Sequence, residues 1–164
     1  MSENEMPDVD LLDDEDEDED TQQNKFLTFF INQEEYGIDI RYVTEIIGIQ
    51  KITEVPDMPV YIKGVINLRG KVIPVMNVRL RFGLEEREYD DRTCIVVINV
   101  DEEAVGLIVD RVSEVLDIPA GEIEPPPQLH GGRRGRLLLG MGKVENGVKI
   151  LLDAQKLLFE EEEK

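Results

Sequence analysis

Hydrophobic residues occur along this chain in short runs that are separated by glycine, proline and acidic residues. Residues 26–31 form the first run, and its aromatic and β-branched side chains favour a strand that is buried on most sides. Apolar residues then alternate with other residues from Tyr36 to Ile40, which predicts a half-buried strand after a turn at 32–35. The folded part of the chain is therefore predicted to begin with β-strands.

Turn signals between the later runs predict three hairpins. In the tripeptide 69–71, Gly70 supplies the positive φ that a tight turn needs. Pro74, in the arm that follows, indicates an edge strand or a bulge. Asn146-Gly147 is the strongest short hairpin signal in the chain. The strands predicted in this part are 65–68, 72–76, 94–100, 104–109, 112–118, 137–144 and 148–152.

One short helix is predicted between these strands at residues 43–47. Its apolar positions have helical spacing, Asp39 stands nearby as an N-cap, and Gly48 ends the run. Glu45 would then face away from the apolar stripe. A further short strand is expected at 49–55.

Two more helices are predicted at 77–82 and 153–159, each beginning at an Asn or Asp cap. The polar stretch 85–92 looks like a connection between two halves, and 119–136 is a long loop that is rich in proline, glycine and arginine. Roughly nine or ten short strands at intervals of about 8–12 residues are typical of sandwiches and barrels. The break at the midpoint indicates two small barrels that share a core.

The net charge of −19 belongs mostly to the chain ends. Residues 1–24 contain twelve of the 37 acidic residues and no basic one, which leaves 25 acids against 18 bases in the remainder. Such a segment repels itself and buries too little apolar surface to order, so we expect it to be disordered. An Asp-rich run also suggests calcium, but the glycine and flanking helices of an EF-hand loop are missing.

The chain offers few groups for catalysis. It has one histidine, one cysteine and two serines, of which Ser2 lies in the acidic tail. His130 is expected to be a solvated loop residue, and Cys94 to fill core space at the start of a strand. Gly140 and Gly142 match neither a phosphate loop nor a dinucleotide fingerprint, and are simpler to explain as strand glycines that allow close backbone approach. We therefore expect no enzyme activity, no cofactor and no metal.

Three arginines in the long loop, Arg133, Arg134 and Arg136, keep nucleic-acid binding open as a minor alternative. The chain contains no apolar run of the ~20 residues that span a membrane, and its acidic start is unlike a secretory signal. The single cysteine fits a reducing compartment. These features predict a cytoplasmic location.

Residues 61–75, with the sequence YIKGVINLRGKVIPV, resemble the signature of the bacterial chemotaxis coupling proteins, the CheW-like family. Further matches follow the family order at 36–40, 45–46, 106–110 and 112–116, so the resemblance extends over 25–159 nearly without a gap. It implies two SH3-like five-stranded β-barrel subdomains that share a hydrophobic core. The expected bounds are about 35–91 for subdomain one and about 25–34 plus 92–159 for subdomain two, with an acidic end at 160–164.

The resemblance also implies a function. It suggests an adaptor that couples the cytoplasmic tips of methyl-accepting chemoreceptors to the histidine kinase CheA, in signalling arrays at the inner membrane but without membrane insertion. A regulatory-domain fragment of a chemotaxis kinase is the nearest alternative, because that domain has the same fold. By position, the resemblance assigns partner contacts to Val43, Glu45, Gly64, Arg69, Cys94 and Val115. We also expect Arg69 and Glu45 to form part of a binding surface and to pair with each other, because Arg69 lies at a glycine-marked hairpin tip and Glu45 on the polar side of the predicted helix. Core packing is the alternative for Val43 and Val115, and a solvated hairpin tip is the alternative for Arg69.

Overall fold

The computed structural model describes residues 22–127 and 134–161. One sheet contains six strands: β1 (Lys25–Ile31), β2 (Glu34–Asp39), β8 (Arg111–Asp117), β9 (Ile123–Glu124), β10 (Leu138–Val144) and β11 (Gly147–Leu152). The other contains five: β3 (Val43–Gly48), β4 (Ile62–Leu68), β5 (Lys71–Asn77), β6 (Cys94–Val100) and β7 (Glu103–Val109). The short helices are α1 (Val78–Arg81), α2 (Ala154–Phe159) and the 3-10 turns Ile40–Tyr42, Ala120–Glu122 and Arg134–Leu137. The prediction of a mostly β protein with few short helices is confirmed.

The strands follow the order β8-β1-β2-β11-β10-β9 in the first sheet and β3-β6-β7-β5-β4 in the second. Each sheet contains one parallel contact, β2 with β11 and β5 with β7, among antiparallel neighbours. The first sheet has one strand more than expected because the two-residue β9 joins its edge beside β10.

Three apolar clusters hold this arrangement together. The largest, which we call the shared core, takes side chains from both sheets, while each sheet also has a smaller cluster of its own. Strand β6 shows the principle, because Val96 and Ile98 point into the shared core and Ile95 and Val97 into the cluster of the five-stranded sheet. Side chains alternate between the faces of a strand. A strand that is buried on both faces is therefore continuously apolar, as β6 is from Cys94 to Ile98.

The edges of the five-stranded sheet approach each other. After β3 the chain crosses to β4, where Thr53 and Val65 exchange two backbone hydrogen bonds of 2.9 Å. This isolated bridge is the only regular pairing in 49–55, so the short strand predicted there is wrong. Proline at 56 and 59 prevents further pairing, because proline has no N–H to donate.

The predicted hairpins and the helix caps at Asn77 and Asp153 are confirmed. The turn between β4 and β5 has positive φ at Arg69 and Gly70, and the side chains of Asn77 and Asp153 accept hydrogen bonds from the first turns of α1 and α2. Pro74 lies in the interior strand β5, but the pairing of β5 with β7 begins only at Val75. Pro74 therefore pairs with only one neighbouring strand, as a residue in an edge strand does.

The helix predicted at 43–47 is wrong, because these residues form strand β3. Asp39 does act as a cap, but of the 3-10 turn Ile40–Tyr42, where its side chain accepts a hydrogen bond from the backbone of Arg41. Side-chain exposure along β3 alternates with a period of two, and β3 pairs with β6 from Val43 to Gly48. Pairing with a distant strand thus overrides a weak local helical pattern.

The sheets divide the chain at other points than the expected subdomain bounds. Residues 94–109 belong to the sheet of β3–β5, since β7 pairs with β5, whereas 34–39 belong to the sheet of β8–β11. Asn24, which we assigned to the acidic tail, accepts a backbone hydrogen bond of 2.7 Å from Ile118. Residues 1–21 of that tail, residues 128–133 and residues 162–164 lie outside the described part of the chain.

A buried ion pair joins the two halves. Arg79 of α1 donates two hydrogen bonds of 3.0 Å to the carboxylate of Asp110, which lies between β7 and β8. The same carboxylate accepts the backbone N–H of Asn32 from the β1–β2 turn at 2.7 Å. One acidic side chain thereby links a helix beside the five-stranded sheet to a turn of the six-stranded sheet. This pair is not predictable from the sequence, because its members are 31 residues apart.

Candidate functional site

Glu45 and Arg69 form an exposed ion pair at the surface of the five-stranded sheet. Glu45 lies on the edge strand β3, and Arg69 lies in the turn that begins at the end of the opposite edge strand, β4. The side chain of Arg69 is 69% exposed and that of Glu45 is 27% exposed. The hydrogen bond from Arg69 to Glu45 raises the pKa of the guanidinium. The expected pairing of these two residues is confirmed.

Gly64 contributes to this region through its backbone. It is buried, its φ is +148°, and a Cβ built on it would stand 2.1 Å from the carbonyl oxygen of Thr53. Any side chain here would therefore displace the bridge between Thr53 and Val65. We conclude that Gly64 shapes the sheet edge and offers no side-chain surface of its own.

A second group of predicted residues lies around the rim of the shared core. Val43 and Cys94 are partly buried and pack against that core, as does Val112 on the edge strand β8. Val115, also on β8, stands opposite Leu27 of the neighbouring strand β1 and is 50% exposed. Leu27 belongs to the shared core. We call the three predicted residues together with Val112, which was not predicted, the rim cluster; they lie on β3, β6 and β8. It combines partly buried and exposed apolar side chains, so plain core packing does not account for Val115.

Cys94 connects the two edges of the rim cluster. It stands opposite Gly48 at the end of β3, while the backbone of Val112 on β8 hydrogen-bonds to its sulfur. Burial raises the pKa of the Cys94 thiol and outweighs the opposing effect of that hydrogen bond. The thiol is thus held in its neutral form, which suits packing and not nucleophilic attack.

Ile46 is a surface residue that the sequence analysis missed. Its side chain is 45% exposed, and it lies on β3, the strand that carries Val43, opposite Val96 of the shared core. The helical interpretation had placed Ile46 on the buried face. Four of the five residues in 43–47 are β-branched, and this composition was the available signal for a strand.

Arg134 and Arg136, the arginines of the long loop that the structure describes, have acidic partners. Arg134 donates a hydrogen bond of 2.6 Å to Glu34 and one of 2.8 Å to the hydroxyl of Tyr36, and Arg136 lies 3.9 Å from Glu160. Burial raises the pKa of Tyr36 to about 12. His130 and Arg133, the other candidates of this loop, lie outside the described residues. The two described arginines are therefore already engaged within the chain, which weakens the nucleic-acid alternative.

Gly140 and Gly142 lie in strand β10, as the sequence analysis proposed. A Cβ on Gly140 would stand 2.6 Å from the carbonyl oxygen of Glu124, and one on Gly142 would stand 3.0 Å from Ile118. Both glycines serve close packing. Among the described residues, no group of three or more His, Cys, Asp or Glu side chains is arranged to hold a metal ion.

Comparisons with known proteins agree on one family. Residues 25–162 match the CheW-like domain family. The chain is 40% identical to chemotaxis protein CheW of Klebsiella aerogenes, over 84% of this chain and 83% of that protein, and 37% identical to chemotaxis protein CheW of Bacillus subtilis, over 84% and 88%. The crystal structure of the scaffolding protein TtCheW from Thermoanaerobacter tengcongensis is similar with a TM-score of 0.76 and 35% identity, covering 82% of this chain and 92% of that one. In the described part of this chain, no helix is long and apolar enough to cross a bilayer.

Proposed function

Because the chain belongs to the CheW-like domain family, we propose that it is a chemotaxis adaptor that couples the cytoplasmic tips of chemoreceptors to the histidine kinase CheA. The observation that carries this proposal is the extent of the family match, which includes nearly every described residue. Relatives that match over most of their own length bear the name chemotaxis protein CheW. The adaptor needs two partner surfaces on one rigid body, and the fold offers two candidates.

The first candidate surface is the Glu45–Arg69 pair. Its charges are solvent-exposed. A guanidinium offers five N–H donors, and a single carboxylate engages only some of them. The residual donors can take up a carboxylate or a backbone carbonyl of a partner. Charged and polar groups in an interface give orientation and specificity.

The second candidate surface is the rim cluster with Ile46. Exposed apolar side chains next to a buried core, at the edges of two strands, are typical of protein-binding sites. Val43, Cys94 and Val115, which the family resemblance assigns to partner contacts, belong to this cluster. We propose that this surface buries an apolar face of a partner.

We further propose that the protein acts by binding alone, without a catalytic group or cofactor. The neutral, half-buried thiol of Cys94 supports this proposal, as does the packing role of the two glycines in β10. An adaptor of this kind would work in the cytoplasm beside the receptor arrays of the inner membrane, through its partners and not through insertion of its own.

A reconstitution experiment tests the proposal. The chain is combined with CheA and a receptor cytoplasmic fragment, and co-sedimentation and receptor-dependent kinase activity are measured. An adaptor increases both in a concentration-dependent manner, whereas a kinase regulatory fragment would occupy one partner and lower the kinase activity. Arg69→Ala should weaken the effect and Arg92→Ala, at an exposed loop arginine, should not. If the chain binds neither partner, the proposed function is wrong.

A further inference from the structure

We infer that Asn67 is a positioning residue for the Glu45–Arg69 surface, because its side chain holds the β4–β5 turn in the conformation that directs Arg69 to Glu45. The Oδ1 atom of Asn67 accepts a hydrogen bond of 2.8 Å from the backbone N–H of Gly70. The two residues that it joins stand on either side of Arg69, so the hydrogen bond spans the turn. The inference deepens the proposed function, since it takes its biological meaning from the binding role of that surface.

The conformation of the turn explains why such a contact is needed. Arg69 has φ +52° and Gly70 has φ +87°, so both central residues of the hairpin turn are left-handed. Glycine adopts this region readily, whereas an arginine adopts it only when other contacts hold it there. Two contacts do so here: the hydrogen bond from Gly70 to Asn67 fixes the backbone, and the ion pair with Glu45 fixes the guanidinium.

The direction of Arg69 depends on this backbone conformation. Glu45 lies on the edge strand β3, and β4 is the opposite edge of the same sheet. The arginine therefore has to point back across the end of the sheet and not outward along the hairpin. A turn of another type would rotate its Cα–Cβ bond away from Glu45. Asn67 is itself exposed, so its substitution alters the turn without opening the core.

Two pairs of variants separate positioning from direct contact. Asn67→Ala removes the acceptor and Asn67→Asp keeps it. Gly70→Ala leaves Asn67 intact but disfavours the left-handed turn, and Gly70→Asn tolerates it better, because asparagine enters this region more easily than other non-glycine residues. A Cβ at residue 70 meets no atom within 4 Å, so any effect of these two substitutions is not caused by a steric clash of the Cβ. Asn99→Ala, at an exposed position of β6, is the matched control.

The first measurement uses the unbound protein. The nuclear magnetic resonance signals of the Arg69 guanidinium report the ion pair, with Glu45→Ala as the reference for a released arginine. Asn67→Ala and Gly70→Ala should move these signals toward that reference. In Asn67→Ala the amide of Gly70 should exchange about fivefold faster, as expected for the loss of one hydrogen bond. Asn67→Asp, Gly70→Asn and Asn99→Ala should resemble the wild type.

The second measurement is the affinity for the CheA and receptor fragments. Asn67→Ala and Gly70→Ala should each bind about threefold to tenfold more weakly than the wild type. Asn67→Asp and Gly70→Asn should bind with nearly the affinity of the wild type. If the unbound Asn67→Ala keeps the Arg69 signals of the wild type, the positioning role is wrong, whether or not binding falls. If only Asn67→Ala binds weakly while Gly70→Ala does not, Asn67 contacts the partner directly and the inference is overturned. If the wild type binds neither fragment, the proposed function fails, and the unbound measurement still decides the role of Asn67.

Discussion

The carboxylate of Glu45 and the guanidinium of Arg69 meet across the end of the five-stranded sheet, although the two residues are 24 positions apart in the chain. They extend from opposite edges of that sheet, whose order begins with β3 and ends with β4. The contact forms because the sheet curls until its two edges approach each other. The same curl brings Thr53, in the connection after β3, to Val65 of β4. A surface that depends on this curl exists only in the folded domain.

Loss of the exposed ion pair should affect binding more than folding. We expect Arg69→Ala and Glu45→Ala to leave the melting temperature nearly unchanged, because solvent screens exposed pairs. At an interface, where the arginine is desolvated, either change should weaken the binding of CheA or of the receptor by about tenfold or more. Calorimetric titration and thermal melting of the same samples provide the comparison.

The double variant of Glu45 and Arg69 supplies the control for this prediction. Residues in contact have non-additive effects, so the affinity of the double variant should exceed the value expected from the two single changes. Unfolding of either single variant, together with normal binding by its folded fraction, would instead identify a structural role.

The buried Arg79–Asp110 pair should be critical for stability. Asp110→Ala leaves a buried guanidinium without its carboxylate and removes the acceptor for the Asn32 backbone, so we expect a loss of about 3–5 kcal/mol in the free energy of unfolding. Asp117→Ala, which breaks the more exposed pair with Lys25, should cost no more than about 1 kcal/mol. Urea denaturation measures both. Equal losses in the two variants would contradict the assignment.

Substitution of Gly64 should destabilise the edge of the five-stranded sheet. An alanine Cβ would overlap the carbonyl of Thr53, and the φ of +148° is unfavourable for any side chain. We expect Gly64→Ala to lower the free energy of unfolding by about 2–4 kcal/mol, with faster amide exchange at Val65. Gly48→Ala is the control, because a Cβ there meets no atom within 4 Å, and it should be neutral or slightly stabilising. A well-folded Gly64→Ala protein with unchanged exchange at Val65 would show that the Thr53 bridge tolerates the methyl group.

Tyr36 should make stability depend on pH in the alkaline range. Its pKa is raised from 10.0 to about 12, chiefly because burial disfavours the phenolate. A group whose pKa is raised on folding contributes stability that is fully present below its unfolded pKa and is lost as pH rises through its folded pKa. We therefore expect the stability of the wild type to fall between about pH 10 and pH 12.

The comparison for this prediction is Tyr36→Phe, which keeps the ring in the shared core but has no proton to lose. Its melting temperature should decline less over the same pH range, while its absorbance change near 295 nm should lack one late-titrating tyrosine. Identical alkaline profiles for the two proteins would rule out Tyr36 as the source of the pH dependence.

Features that depend on a few neighbouring residues could be predicted from the sequence. Gly70 and Asn146-Gly147 mark hairpins because they permit the backbone angles of tight turns, and Asn77 and Asp153 cap helices through bonds that reach only three residues ahead. The strand content and the short helices follow from such local chemistry. The family resemblance added the candidate site residues, which lie in two groups in the structure: the ion pair with Gly64, and the rim cluster.

The tertiary structure decided what depends on distant partners. Residues 43–47 satisfy a helical pattern locally, yet they form β3, because pairing with β6 and burial against two cores outweigh a weak local preference. The membership of β7 in the five-stranded sheet depends on its parallel contact with β5, and the exposure of Ile46 and Val115 depends on which strands remain at the edges. Turn and cap energies act over three or four residues, whereas strand order, the Arg79–Asp110 pair and the rim cluster arise only when the shared core brings both sheets together.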